Sequence, residues 1–271
     1  MHGEPKPEQT RQSRGGSAAR SLVVLACLAA ALGAGCARKN AGVVSTCNLP
    51  DDQVGTLSGR WKAPPVPIAF HAGDFTADEM SEIVQAASTW NSFYAQTLGL
   101  SPIDFGSASN PRQVSTSHPN ATYVCSQSIV VEASGAFTSQ VVLYKLGVWP
   151  YPSQPNAMAL TTFCKGAGSP LPLFNMAIIE FNYQSFWVSG KKIPDLQTII
   201  LHEFGHLLGL NHSCEQSSAG TGMPLCGSSS DYSSAVMAPV FTFNASGYGE
   251  TKRALTGNDQ GRANCVYSYT P

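Results

Sequence analysis

"LHEFGHLLGLNHS", residues 201–213, gathers three of the chain's six histidines into eleven residues. The residues before it, "PDLQTII", open with Pro194 and Asp195, both good helix starters, and Gly209 is a good stop. The stretch therefore predicts a helix from about 194 to 209. At 100° per residue, Ile200, Leu201, Phe204, Leu207 and Leu208 share one apolar stripe, while His202 and His206 lie opposite. Such a helix is expected to bury one face and offer the other.

Residues at i and i+4 are neighbours on a helix, so two imidazoles in that relation can reach one metal ion. Glu203 points to the side of the pair, where it can hold a water instead of the metal. Gly209 accepts a positive φ without steric penalty, so the chain can turn sharply and bring His212 back under the same ion. Three neutral nitrogen ligands with an open fourth position describe a catalytic zinc site, because structural sites are closed by four ligands. A histidine pair alone recurs on many surface helices. The full string H-E-x-x-H-x-x-G-x-x-H has a chance occurrence on the order of 10⁻⁵ for this composition.

The rest of the chain sets limits. A length of 271 residues supports one sizeable domain, or two sharing a cleft. With 12% charged residues and a net charge of −1, no basic stripe supports nucleic-acid binding. Lys6, Arg11, Arg14 and Arg20 precede the apolar run "SLVVLACLAAALGAG", which ends at Cys36. That pattern reads as a secretory signal over residues 1–36. The run of about 15 residues falls short of the roughly 20 that a bilayer span needs. Its ending "LGAGC" resembles a bacterial lipoprotein signal, with Cys36 the candidate for lipidation; plain cleavage near Ala34 is the alternative. The protein is therefore expected outside the cytoplasm, as an envelope lipoprotein or a secreted protein, touching the membrane only through such an anchor. A monomer is the expectation for its oligomeric state.

Six cysteines then remain, an even number that suggests three disulfides in an exported chain. Cys214 with Cys226 closes a local loop; Cys47 with Cys265 and Cys125 with Cys164 complete the set.

Residues 37–65 read as an irregular leader, and 66–271 as the catalytic domain, with an upper part to 210 and a lower part from 211. "VPIAFH" (66–71) alternates as a strand. Thr76 and Glu79 stand at capping-box spacing before a helix whose apolar positions are Met80, Ile83, Val84, Ala87 and Tyr94, stopped by Gly99. "SIVVEA", "QVVLYKLGVW", "MALTTF" and "MAIIEFN" are strand-like. The class is α+β.

The histidine string is the zinc signature of the metzincin peptidases, and with Ser213 after the third histidine it resembles the matrixin branch most closely. "SSAVMAP", with Met237 and Pro239, is similar to the methionine turn that lies beneath the zinc in that family. "ALTGNDQGRANCVY" looks like the last matrixin helix, with Asn258 and Asp259 where the family has two aspartates, so only part of its support for the turn is expected. The resemblance implies a twisted mixed sheet packed on an N-terminal helix and an active-site helix. A small irregular C-terminal part would carry the turn and the final helix. It also implies one catalytic zinc, a polypeptide substrate along the "MALTTF" edge strand, and a pocket walled by Pro239, Val240 and Phe241.

A second, structural zinc is not expected, because only His71 and His118 lie outside the motif in the mature chain. Acidic calcium loops are not evident, and calcium is left open. "CNLPDD" at Cys47 resembles the family's cysteine switch, but Thr46 stands where an arginine is usual, and the disulfide reading is preferred. The functional expectation is a zinc endopeptidase with Glu203 as general base. Its rivals are a zinc-binding surface adhesion module whose peptidase activity is vestigial, and an envelope protein braced by the metal.

Overall fold

The computed structural model describes residue 47 and residues 49–119, 141–217 and 222–268. The signal region with Cys36, the "SIVVEA" segment and Cys125 lie outside the described residues. Among the described residues no helix is long and apolar enough to cross a membrane.

Among the described residues seven strands form one sheet: β1 (Arg60–Trp61), β2 (Val66–His71), β3 (Ile103–Asp104), β4 (Gln113–Val114), β5 (Val141–Leu146), β6 (Ala159–Gly166) and β7 (Leu173–Asn182). Their order is β1-β7-β5-β2-β3, with β4 also on β2 and β6 also on β7. Every pairing is parallel except β6 with β7. Strands of parallel sheets are covered on both faces and read as continuous apolar runs. Accordingly Val141, Val142, Leu143 and Tyr144 are all buried. One face packs on the helices in the main core; the other holds a smaller cluster of Ala69, Val114, Val142, Tyr144 and Ile178.

Helix α1 (Ala77–Thr97) starts at the expected capping box: the Glu79 amide donates to Thr76 Oγ1 and the Thr76 amide to Glu79 Oε2. It buries Ile83, Ala86, Ala87, Trp90 and Tyr94, and Gly99 follows its end at φ +68°. Helix α2 (Leu196–Leu207) is capped by Asp195, whose carboxylate accepts from the Thr198 amide at 2.9 Å. Trp90 on α1 donates its indole N–H to Leu201 O on α2, which fixes how the two helices cross.

Two expectations need correction. Helix α2 does not offer a polar face to solvent: His202 is 4% and Glu203 5% exposed, the first bonded to Val236 O and the second to Thr161 of β6. Residues 51–65 are not merely irregular. They hold a 3-10 helix (Asp51–Thr56) and β1, and Trp61, buried in the core, donates its indole N–H to Leu207 O at the end of α2. Past α2 the chain is largely irregular, with a short α3 (Ser230–Ser233) and the final helix α4 (Gly257–Ser268).

Candidate metal centre

His202 and His206 stand one turn apart on α2, and the bend at Gly209 (φ +107°) returns the chain so that His212 joins them. A side chain at Gly209 would also collide with the Gly59 carbonyl, so the position excludes other residues twice over. The ligand-capable atoms of the three imidazoles all lie within 4.8 Å of one another. Ring centroids are 4.7, 5.2 and 4.9 Å apart.

Two of the rings are oriented by carbonyls. His202 Nδ1 bonds Val236 O and His206 Nδ1 bonds Leu210 O, each at 2.8 Å. A carbonyl only accepts, so each Nδ1 carries the proton and each Nε2 keeps a free lone pair. Burial disfavours the imidazolium form. His202 is held well below its usual range, His206 down at about 3 and His212 at about 4, with neighbouring histidines adding to the effect at the first two. Neutral imidazoles are what a zinc ion requires, so the donor set fits that metal.

The loop carrying His212 is pinned by residues 55–58: the Asn211 amide donates to Thr56 O, Asn211 Nδ2 to Gly55 O, and the Ser58 amide to Gly209 O. Met237, next to the Val236 whose carbonyl holds His202, is fully buried. Gly205 on α2 leaves room for it, since a Cβ there would overlap the Met237 sulfur and sit 3.0 Å from its methyl carbon. The amides of Val236 and Met237 donate to the two oxygens of the buried Asp259 carboxylate at 2.9 and 3.1 Å. Asp259 thus links α4 to the turn, while Asn258 Oδ1 accepts from Arg262 Nε.

Glu203 is buried beside the triad, and its Oε2 accepts from Thr161 Oγ1 at 2.6 Å. Burial pushes its carboxyl up to about 7, against the opposing pull of that hydrogen bond. The site opens on a cleft of about 420 Å³ lined by β6 residues including Leu160, Thr161 and Phe163, together with Ile199, Pro239 and Phe241. The Phe241 ring centroid is 5.3 Å from that of His202. Val240, expected in the pocket wall, faces elsewhere: it is 43% exposed and lines a neighbouring hollow with Phe186 and Phe243. Among the described residues β6 pairs only with β7, and its other edge, along the cleft, has no strand partner there.

Cys47 is bonded to Cys265 and Cys214 to Cys226. The Cys47 sulfur is therefore engaged on α4 and not presented to the triad as a latency thiolate. Cys164 is disulfide-bonded. His71 pairs with Asp74 and His118 with Glu180. The triad is the one group among the described residues that could hold a metal ion.

Sequence reading missed Thr161, Gly205 and Arg262. Gly205 carried a signal, since glycine inside a helix costs stability and asks for a packing reason. Thr161 and Arg262 act across long sequence separations and gave none. No curated protein matches the chain. The matrixin family model matches residues 167–221, spanning β7, α2 and all three histidines. That match and a triad that could hold zinc support a zinc metallopeptidase in general, and the mixed sheet with its packed helices is consistent with a metzincin-like fold.

Proposed function

We propose that the protein is a zinc-dependent endopeptidase that cleaves polypeptides outside the cytoplasm. One observation carries the reading: a buried carboxylate, Glu203, stands beside three neutral imidazoles in a cleft walled by a strand edge that has no partner among the described residues. Zinc, when bound by His202, His206 and His212, would supply the Lewis acid that acidifies a water and polarises the scissile carbonyl.

The chain's own residues do the rest. β6 takes up an extended peptide by main-chain hydrogen bonding. Glu203 accepts the proton of the attacking water as its oxygen bonds the carbonyl carbon. It then delivers that proton to the amide nitrogen as the C–N bond breaks. Its elevated pKa of about 7 suits a group that must both take and give a proton near neutrality. Pro239 and Phe241 present an apolar wall beside His202, which favours an apolar side chain next to the cut.

Disulfides at Cys47–Cys265, Cys214–Cys226 and Cys164 suit an oxidising compartment, which supports export with Cys36 as a lipid anchor or free secretion. An adhesion module would not need a base beside the water. Replacing Glu203→Gln should abolish cleavage of a peptide library while zinc content stays at one ion per chain. Cleavage retained by that variant refutes the mechanism.

A further inference from the structure

We infer that Thr161 is a positioning residue for the general base: from the substrate-binding strand, its hydroxyl fixes the orientation of the Glu203 carboxylate. The inference rests on the peptidase reading above. Thr161 is the one residue among those described whose hydrogen bond to this carboxylate is seen, at 2.6 Å to Oε2. A second, longer contact of 3.4 Å runs from the same hydroxyl to the Glu203 carbonyl. A hydroxyl has one proton to donate, so the short contact is the bond and the long one only centres it.

A glutamate side chain has three rotatable torsions, and the Glu203 carboxylate must meet a water in a fixed place. Pinning Oε2 leaves Oε1 as the free acceptor. Threonine suits the task because its β-branched side chain is stiff at χ1, and its place is set by the sheet, where Thr161 pairs with Ile179 of β7. Thr162, next along the strand, points to the opposite face. A peptide bound along β6 therefore lies on the strand that also aims the base, which couples substrate docking to proton acceptance.

The test compares the wild type with T161V, which keeps the shape without the hydroxyl, and T161S, which keeps the hydroxyl. All three are loaded with zinc and assayed on one cleaved peptide. T161V should lose about 10- to 100-fold in kcat, the weight of one hydrogen bond to a charged group, with KM within about twofold. T161S should return to within about threefold of wild type, and zinc content should be equal in all three. Crystals of the metal-free proteins give an independent readout: Glu203 should keep its place in wild type and T161S and swing away in T161V. The inference is overturned if T161V keeps wild-type kcat, if T161S is as impaired as T161V, or if Glu203 does not move in T161V. A wild type that cleaves nothing removes the peptidase reading as well; a wild type and a T161V that cleave equally well remove this inference alone.

Discussion

Replacing Asp259→Asn exchanges one carboxylate oxygen for an amide nitrogen in a side chain outside the histidine triad, yet it should weaken both the fold and the metal site. The Asp259 carboxylate is fully buried and accepts from the Val236 amide, the Met237 amide, the Thr256 amide and the Thr256 hydroxyl at 2.9, 3.1, 2.9 and 2.8 Å. It also faces Arg262 Nη2 at 3.6 Å, and Arg262 is itself 1% exposed. Burial already draws that guanidinium down to about 10, with Asp259 opposing the shift. An asparagine offers one acceptor oxygen and turns an N–H₂ toward donors that need acceptors.

An orphaned buried donor costs about 1–3 kcal/mol, and breaking a buried ion pair about 3–5 kcal/mol. The terms share partners and do not add, so a loss of about 3–5 kcal/mol is expected. For a domain of this size that lowers Tm by roughly 10 °C. Because Val236 O holds the His202 ring, the loosened turn should also weaken zinc binding by about 10-fold or more. Melting curves in excess zinc, with a competition titration against a chromophoric chelator, measure both. A variant melting within about 2 °C of wild type with unchanged zinc affinity would refute the clamp.

Two further outcomes are expected. Gly205→Ala forces a Cβ into the Met237 sulfur and to 3.2 Å from the Trp90 ring, so overpacking of about 1–3 kcal/mol should appear as a lower Tm, read by calorimetry. In the metal-free protein, histidine pKa values depressed from 6.5 to about 3 at His206 and about 4 at His212 contribute stability present above pH 6.5 and lost as pH falls toward those values. Glu203, raised from 4.5 to about 7, acts oppositely: its contribution is present below pH 4.5 and lost as pH rises through 7. Metal-free Glu203→Gln should thus melt higher than metal-free wild type at pH 8, by the equivalent of roughly 3 kcal/mol, and the gap should close near pH 4.5. Equal melting at pH 8 would show that the carboxylate is not strained by burial.

What could be read from the sequence was local. The histidine string, the Thr76–Glu79 capping box and the apolar runs of β5 and β7 each encode their structure within a few residues. The helix period places His202 and His206 side by side whatever surrounds them. The errors came from contacts that no local pattern carries. The polar side of α2 reads as solvent-facing until Val236 and Thr161 are placed against it, and of the three residues read as pocket wall, Pro239 and Phe241 line the cleft while Val240 lines a neighbouring hollow. Residues 55–58 look like linker, since what they do is done by backbone amides and carbonyls, which every sequence has.

Helix α4 shows how far such non-local control extends. Three of its residues, spaced by three, each hold a different part of the centre. Asp259 fixes the turn under the rings, and Arg262 Nη1 donates to the carbonyls of Asn211 and His212 at 3.0 and 3.4 Å. Cys265 ties in Cys47, at the start of the segment whose residues 55–58 pin the His212 loop. The first and third ligands are therefore referred to one rigid element, α4, which begins at Gly257, well beyond either in the chain. A ligand cluster held this way loses its geometry as a unit, so perturbations of α4 should move zinc affinity and thermal stability together. Loss of the Thr161 hydroxyl on β6, which bonds the Glu203 carboxylate and none of the three imidazoles, should move catalysis and leave zinc affinity untouched.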